Sequence, residues 1–282
     1  MHANGEPGWC KPRGSIETGS ANKGGHQVEI DLRNKLALVT GGTGNIGRFI
    51  VRTLADCGAS VVIHYLRNEA KAKELQAELK SKGVKCMTIS ADITKLDSME
   101  KMRDAVIREL GAPDIVVTNA VIDIWPKWTT VLKQPVEDFV SQYESCVMQN
   151  VYAAKVFVPE MINKRWGRII GFNTECVLLN DPGTSAYTAG KKGMDGLLRV
   201  LAREVGEHGI TVNEVAPGWT ITDKTRAEGS ERQEAYEKKV ALKRRGTDQE
   251  IANVVAFLAS DLASFITGAF IPVCGGIVMP GV

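Results

Sequence analysis

Short apolar runs alternate with amphipathic stretches from residue 34 to the end of the chain. Most of the apolar runs are continuous, which is typical of parallel strands covered on both faces. The predicted strands are Leu36–Thr40, Val61–Tyr65, Cys86–Ser90, Ile115–Thr118, Arg168–Phe172, Thr211–Val215 and Ala269–Val273. The predicted helices are Ile46–Cys57, Glu69–Lys82, Asp97–Leu110, Val136–Asn163, Ala186–Glu207 and Asp248–Ser260. This order predicts one α/β domain, a doubly wound parallel sheet of about seven strands with helices on both faces.

The first 33 residues differ from the rest of the chain. They are rich in Gly, Pro, Ser and Asn and have almost no apolar periodicity, so we interpret 1–33 as a flexible arm ahead of a domain spanning 34–282. The N-terminus lacks the apolar core of a secretion signal, and no stretch approaches the roughly 18 apolar residues of a membrane helix. We therefore expect a cytoplasmic protein.

Charge and cysteine usage exclude several other classes of function. The 35 Lys and Arg residues balance 33 Asp and Glu residues, so neither nucleic acid nor an anionic membrane is an expected partner. The six cysteines form no Cys-x-x-Cys pair, and the four histidines have no metal-ligand spacing. We expect reduced, mostly buried cysteines and no metal site.

A glycine-rich turn, GGTGNIG at 41–47, stands between the first predicted strand and the first predicted helix. Glycines let the backbone approach phosphate groups closely, and a helix N-terminus presents free N–H groups and a positive dipole end. The position of the turn therefore predicts a Rossmann-like dinucleotide site. The residues expected to bind the pyrophosphate are Gly41, Thr43, Asn45, Ile46 and Gly47.

The end of the second predicted strand indicates which dinucleotide is bound. An NAD site places an acid about 20 residues beyond the glycines, but here no acid precedes Glu69. Arg67, next to Tyr65, could bind a 2′-phosphate, so NADP(H) is the expected cofactor and NAD(H) the alternative. Arg67 could also be an ordinary solvated loop residue. Asp92, after the third strand, would either accept a hydrogen bond from the adenine amino group or cap its own loop.

A tyrosine and a lysine stand four residues apart at the start of the fifth predicted helix. This spacing puts Tyr187 and Lys191 on one helical face. A free tyrosine has a pKa near 10, and a neighbouring ammonium moves that pKa toward neutrality. Such a tyrosine can protonate a carbonyl oxygen while a hydride reaches the carbon. The alternative is an ordinary pair on the helix surface.

Together with these features, further motifs make residues 34–282 resemble the short-chain dehydrogenase/reductase family. Among the members of that family, the chain is most similar in general appearance to the 3-oxoacyl-(acyl carrier protein) reductases. The matching segments are Thr40-Gly41 with Ile46-Gly47, Thr118-Asn119-Ala120, Asn150, Tyr187 with Lys191, Ala216-Pro217-Gly218-Trp219 with Thr222, and Ser264–Gly268 with Val273–Gly276. Six matches in the right order make the resemblance specific.

The resemblance implies an oxidoreductase that interconverts a ketone and a secondary alcohol. Tyr187 would be the general acid/base, Lys191 would lower its pKa and bind the nicotinamide ribose, and Asn150 would support a proton relay. Thr174 takes the place of the family's serine, thirteen residues before the tyrosine, and would orient the carbonyl. The further cofactor contacts implied are Ile93, Asn119, Pro217, Gly218 and Thr222.

The resemblance also implies a substrate lid and an oligomer. The lid would be 219–245, where the part from 221 to 245 has eight Lys or Arg residues against five acids. A basic lid would suit a carbonyl substrate on coenzyme A or an acidic carrier protein, although a free small molecule and a merely solvated helix are the alternatives. A homodimer or homotetramer would form through the helices Val136–Asn163 and Ala186–Glu207.

Three positions depart from the family pattern. Asn45 replaces the middle glycine of the loop, and asparagine tolerates left-handed backbone angles. Val121 replaces a glycine and would either reshape the pocket or fill core space. Thr174 keeps the hydroxyl group of serine but restricts χ1. Beside it, Glu175 would face solvent or contact a polar substrate.

These departures leave two alternatives to a carbonyl oxidoreductase. The first is a cofactor-binding sensor or scaffold with weak turnover, which would keep the fold and the dinucleotide site. The second is a tailoring enzyme that dehydrates or epimerises a natural product.

Overall fold

The computed structural model describes residues 29–122, 129–222 and 229–280. At its centre is a parallel seven-stranded sheet with the strand order β3-β2-β1-β4-β5-β6-β7. The strands are β1 Leu36–Val39, β2 Ser60–Tyr65, β3 Cys86–Ser90, β4 Ile115–Thr118, β5 Gly167–Phe172, β6 Ile210–Pro217 and β7 Phe270–Val273. The predicted doubly wound fold is confirmed, and each predicted strand is present.

Helices connect successive strands and cover both faces of the sheet. They are α1 Asn45–Asp56, α2 Glu69–Ser81, α3 Leu96–Leu110, α4 Val136–Gln142, α5 Gln149–Lys164, α6 Cys176–Leu179, α7 Ser185–Val205, α8 Glu231–Lys239 and α9 Asp248–Ala259. A π-helical segment joins α4 to α5, and single 3₁₀ turns follow α7 and α9. The short helix α6 was not predicted, and α8 lies in the predicted lid, for which a solvated helix was one of the alternatives.

The buried side chains form two layers, one on each face of the sheet. The first layer includes residues of α1, α2 and α9, and the second includes residues of α3, α5 and α7. In β1, Ala37 and Val39 belong to the first layer, whereas Leu36 and Leu38 belong to the second. Because both faces are covered, the strand sequences are continuous apolar runs.

The predicted single helix over 136–163 is interrupted in the structure. A π-helical segment spans Tyr143–Met148. Directly after it, the side-chain amides of Gln149 and Asn150 donate to the carbonyl groups four residues earlier, each over 2.7 Å. Those carbonyl groups are the acceptors of a regular α-helix, so the two side chains compete with the backbone there. Apolar periodicity alone could not predict this competition.

The packed domain begins before residue 34. Leu32 is only 1% exposed, and its N–H group donates to the carbonyl group of Cys57 over 2.8 Å. Residues 29–33 therefore pack against the domain, and the remainder of the predicted arm, 1–28, lies outside the described residues.

The described ranges contain neither a membrane-spanning helix nor a metal-binding cluster. Within 29–122, 129–222 and 229–280, the helices are too short or too polar to cross a membrane. The same ranges contain no cluster of three or more His, Cys, Asp or Glu side chains placed to hold a metal ion.

Two glycines on α7 provide a matched test of its packing. A Cβ atom on Gly190 would lie 2.8 Å from the backbone oxygen of Gln142 at the end of α4, whereas one on Gly196 would have no neighbour within 4 Å. We expect Gly190→Ala to lower the free energy of unfolding by about 1–3 kcal/mol. We expect Gly196→Ala to leave it unchanged or raise it by up to about 1 kcal/mol. Urea unfolding would measure both, and equal stabilities would contradict the close packing of α4 on α7.

Candidate active site

The carboxyl ends of the first six strands bring the predicted site residues to one edge of the sheet. The strand order reverses between β1 and β4, so their connections diverge and leave a crevice at this edge. The residues that follow the strands here are Gly41, Arg67, Asp92, Asn119, Thr174 and Gly218. The predicted cofactor and catalytic residues therefore meet at the place where a doubly wound sheet binds its ligand.

The glycine turn has the geometry of a phosphate cradle. Gly41 has a φ of +63°, and a Cβ atom on Gly47 would lie 2.2 Å from the oxygen of Gly41. The N-cap of α1 is Gly44, which has no side chain to cap the helix, so the first N–H groups of α1 are left for a ligand. Asn45 is the first residue of α1 and not a left-handed residue of the turn, which corrects the expectation for that position.

His64 supports the glycine turn, and the sequence analysis missed it. Its Nδ1 atom accepts a hydrogen bond from the Gly41 N–H group over 3.0 Å, so Nε2 carries the proton and donates to the oxygen of Ala91 over 2.9 Å. Burial lowers the pKa of this imidazole, which favours the neutral form that the two bonds require. A lone polar residue inside an apolar strand was the available signal.

Asn119 and Thr40 connect the same turn to β4. The amide of Asn119 donates to the oxygens of Thr40 and Gly41 over 3.0 and 3.2 Å. The Thr40 hydroxyl donates to Oε1 of Gln149 over 2.7 Å and accepts from the Ala120 N–H group. Asn119 is thus a brace beneath the loop, and Gln149 is a second residue that sequence reasoning missed.

Asn150 lies between β4 and the π-helical segment. Its Oδ1 atom accepts from the Thr118 hydroxyl over 2.7 Å, and its Nδ2 atom donates to the oxygen of Cys146 over 2.7 Å. Both ends of the amide are therefore used to fix the start of α5 against the sheet.

The remaining predicted residues of the adenosine end lie after β2 and β3. Asp92 caps its own loop by accepting from the N–H and hydroxyl groups of Thr94, over 2.9 and 2.7 Å. Tyr65 is half-buried, Ile93 is buried, and Arg67 is exposed at the strand end. The nearest acid, Glu69, pairs with Lys73 over 2.7 Å.

Val121 lies at the surface. Its side chain is 39% exposed, so it does not fill core space. One of the two expectations for this residue is therefore wrong, and the other, that Val121 shapes the pocket, stays a prediction.

Tyr187 and Lys191 lie on one face of α7, as predicted. Lys191 is 3% exposed, its Nζ atom donates to the oxygen of Phe172 at the end of β5, and that atom lies 5.8 Å from the centre of the Tyr187 ring. The pair is therefore not an ordinary surface pair: a buried ammonium lies beneath a half-buried tyrosine at the end of β5.

Thr174 is 7% exposed and is held from behind by two buried polar residues. Its N–H group donates to Oδ1 of Asn173 over 2.9 Å, and Nδ2 of Asn173 donates to Oε2 of Glu214 over 2.5 Å. Burial, followed by the nearby Asp195 carboxylate, raises the pKa of Glu214 well above its usual range. Sequence analysis missed Glu214, although a charged residue in an apolar strand is a visible signal.

Glu175 contacts α8 instead of solvent. It is 4% exposed, and its two carboxylate oxygens lie 2.8 and 2.9 Å from the hydroxyl group of Tyr236. The expectation of a solvent-facing side chain is wrong, because Tyr236 covers the carboxylate.

Several positive charges of the predicted lid are paired with acids. Arg244 pairs with Glu250 over 2.6 Å and Arg245 pairs with Glu237 over 3.2 Å. The stretch 223–228, with two further cations, lies outside the described residues. These ion pairs reduce the charge that the lid offers to an acidic carrier. The turn before that stretch, at Thr222, is half-buried.

Comparisons with known proteins agree with this geometry. A family model described as enoyl-(acyl carrier protein) reductase matches residues 42–278. The 3-oxoacyl-[acyl-carrier-protein] reductase FabG of Staphylococcus epidermidis is 36% identical over 246 residues, covering 87% of this chain and 100% of the relative. FabG of Pseudomonas aeruginosa is 36% identical over 250 residues, covering 89% and 100%.

A solved structure is similar as well. It is that of a blue fluorescent protein from a metagenomic library in complex with NADPH, with a TM-score of 0.81, 31% identity, and coverage of 88% of this chain and 100% of that one. Fold and site together define a dinucleotide-binding α/β enzyme. The sequence matches over most of the chain make the protein a member of the short-chain dehydrogenase/reductase family, and thus an NAD(P)-dependent oxidoreductase.

The raised pKa of Glu214 predicts how stability depends on pH. The folded state keeps a proton that the unfolded chain releases, so this contribution is present at low pH and is lost as the pH rises toward the folded pKa. We expect Glu214→Gln to gain stability relative to the wild type between about pH 5 and pH 8. Urea unfolding at several pH values would show this trend.

Glu78→Gln is the control for this experiment. Arg52 holds the pKa of the Glu78 carboxyl below its usual range, so this carboxyl stays ionised over the same interval. The stability of Glu78→Gln relative to the wild type should therefore not rise with pH there. A Glu214→Gln stability that ran parallel to the wild type across that interval would contradict a protonated Glu214.

Proposed function

We propose that this protein is an NADP(H)-preferring oxidoreductase that interconverts a ketone and a secondary alcohol, with a coenzyme A- or carrier-bound 3-oxoacyl group as the candidate substrate. The observation that carries the proposal is the buried Lys191 ammonium beneath Tyr187, next to the end of β5 that presents Thr174. The FabG relatives are 3-oxoacyl-[acyl-carrier-protein] reductases and the similar structure holds NADPH, and both facts support the same function.

The glycine turn fits a dinucleotide. The space that a Cβ atom would take at Gly47 is filled by the backbone of Gly41, so the loop has the tight shape that a pyrophosphate cradle needs. Thr43, Asn45 and Ile46 stand at the free N-terminus of α1 and would bind the phosphates. When bound, the nicotinamide supplies the hydride.

Recognition of the 2′-phosphate would fall to the end of β2. Arg67 is exposed there beside Tyr65, and the charge of Glu69 is already paired with Lys73. An unopposed guanidinium favours a phosphate group over the free hydroxyl of NAD.

Three side chains would act on the substrate carbonyl. The Thr174 hydroxyl donates a hydrogen bond to the carbonyl oxygen as negative charge develops on it. The Tyr187 hydroxyl gives its proton to that oxygen, and the buried Lys191 ammonium stabilises the phenolate that remains. Asn150 supports the supply of the next proton by fixing the π-helical segment beside α7. Pro217, Gly218 and Thr222 would border the nicotinamide end, with Ile93 at the adenine end.

Variants at Thr174 and Tyr187 test this chemistry. With NADPH and a 3-oxoacyl thioester, we expect Thr174→Ala to lower kcat/KM by about 10²-fold, because one donor to the oxyanion is lost. Thr174→Ser keeps that donor and should keep most of the activity. Tyr187→Phe should abolish reduction and leave NADPH affinity, measured by fluorescence, within about threefold.

The wild-type result separates the remaining candidates. Consumption of an enoyl thioester but not of a 3-oxoacyl thioester would favour reduction of a carbon–carbon double bond, as the description of the matched family model suggests. NADPH binding without turnover of any carbonyl substrate would favour a cofactor-binding sensor. A product formed without net oxidation of NADPH would favour dehydration or epimerisation.

The cofactor preference is tested by Arg67→Ala. We expect NADPH binding to weaken by about tenfold because a charge-assisted contact is lost, while NADH binding stays unchanged. Arg108→Ala, an exposed arginine near the C-terminus of α3, is the control and should change neither affinity. Equal losses for both cofactors would contradict a 2′-phosphate contact.

A further inference from the structure

A buried acid and a tyrosine connect the end of β5 to helix α8. Glu175 directly follows Thr174, and the Tyr236 hydroxyl lies within hydrogen-bond distance of both its carboxylate oxygens. The same hydroxyl oxygen accepts a hydrogen bond from the Trp219 N–H group over 2.8 Å. The tyrosine hydroxyl therefore joins three segments: the residue after Thr174, the turn after β6, and α8.

The turn after β6 is fitted closely to this pair. The Glu175 N–H group donates to the oxygen of Pro217 over 3.1 Å. A Cβ atom on Gly218 would lie 2.6 Å from Oε2 of Glu175 and 2.7 Å from the Tyr236 hydroxyl oxygen, so only glycine fits. The Trp219 ring packs edge-on against the Tyr236 ring, with 5.4 Å between their centres. The turn cannot shift without breaking these contacts.

The chemistry proposed above does not use this pair. The Tyr236 hydroxyl donates to Glu175 and accepts from Trp219, so its hydrogen-bonding capacity is taken up. Burying a carboxyl group costs free energy that an apolar side chain at position 175 would avoid. A polar pair in this place therefore calls for a role that simple packing does not explain.

We propose that Glu175 and Tyr236 are positioning residues for the substrate end of the site. Their hydrogen bonds hold α8 and the backbone N–H group of Trp219 in a fixed place relative to Thr174, so they determine how well the carbonyl substrate is held. This inference rests on the proposed function, because it assigns the pair to the substrate and not to the dinucleotide.

The charged and titratable groups around the pair give a second readout. Tyr236 faces Glu175 from α8, Asp181 faces it from the loop after α6, and Cys176 is its neighbour in the chain. Cys274, after β7, faces Tyr236. Burial raises the pKa of Glu175 to about 7 against the opposing hydrogen bond from Tyr236. Ionisation of Glu175 places a negative charge on the residue that directly follows Thr174, the proposed donor to the developing oxyanion.

The test compares Tyr236→Phe and Glu175→Gln in the full chain. Tyr236→Phe removes the hydroxyl group that accepts from the Trp219 N–H group and donates to the Glu175 carboxylate. We expect it to raise KM for a 3-oxoacyl thioester by about tenfold, while kcat and NADPH affinity stay within about threefold. The split between KM and NADPH affinity distinguishes a positioning role from general loosening of the fold.

Glu175→Gln keeps an oxygen that accepts from Tyr236 but does not ionise. We expect near wild-type kinetics below pH 7. We expect kcat/KM of the wild type to fall as Glu175 ionises through about pH 7, and we expect Glu175→Gln to lack this fall. Glu234→Gln, the same substitution on an exposed position of α8, is the matched control and should keep the wild-type pH profile. Because Glu175→Gln preserves the packing, it remains informative if Tyr236→Phe fails to fold.

Three outcomes would overturn the inference. Kinetic constants of Tyr236→Phe within twofold of the wild type would do so, as would equal losses of NADPH and substrate affinity. A Glu175→Gln pH profile identical to that of the wild type would also contradict it. A wild-type protein that binds NADPH but reduces no carbonyl substrate would overturn the proposed function itself. If the wild type is active, the three variant outcomes above overturn only the role of the Glu175–Tyr236 pair and leave the proposed function standing.

Discussion

The reversal of strand order between β1 and β4 is the constraint on which the rest of the site depends. The chain winds in opposite directions from this point, so the connections that follow β1 and β4 run to opposite faces of the sheet. A crevice is left between them. Their backbone groups would be buried without partners there if side chains did not bond to them. Thr40, Asn119 and Gln149 supply those bonds, and they fix the glycine turn that rests on them.

The substrate half of the crevice is held by a different kind of interaction. There, buried acids bond to polar side chains that come from distant elements: Glu214 to Asn173, and Glu175 to Tyr236. Such groups stabilise the fold little, because desolvation offsets most of their attraction. What they provide is orientation, since a hydrogen bond is directional and apolar packing is not. Both pairs lie next to Thr174, the residue to which the proposed function assigns the carbonyl oxygen.

The sequence predicts the parts of this molecule that depend on local patterns. Continuous apolar runs locate the strands, and the glycine turn and the Tyr187–Lys191 spacing locate the crevice. Some residues that brace the crevice, among them His64 and Tyr236, were not predicted, because their partners are far away in the chain: 23 positions from Gly41 to His64 and 61 from Glu175 to Tyr236. The break in the helix over 136–163 was missed for a related reason, as side-chain amides replace backbone donors there.

The structure also shows which of the three departures from the family pattern can affect the site. Asn45 begins α1 instead of carrying the turn, and Val121 lies at the surface, so neither disturbs the glycine loop or the core. Thr174 lies just beyond the end of β5, where the Phe172 oxygen accepts from Lys191, and its N–H group is fixed by Asn173. An extra methyl group on a fixed residue acts by narrowing the space above the hydroxyl, which affects substrate shape before it affects proton transfer. Under the proposed function, Thr174 therefore affects which substrate fits more than whether catalysis occurs, and the Glu175–Tyr236 pair lies where that selectivity would be set.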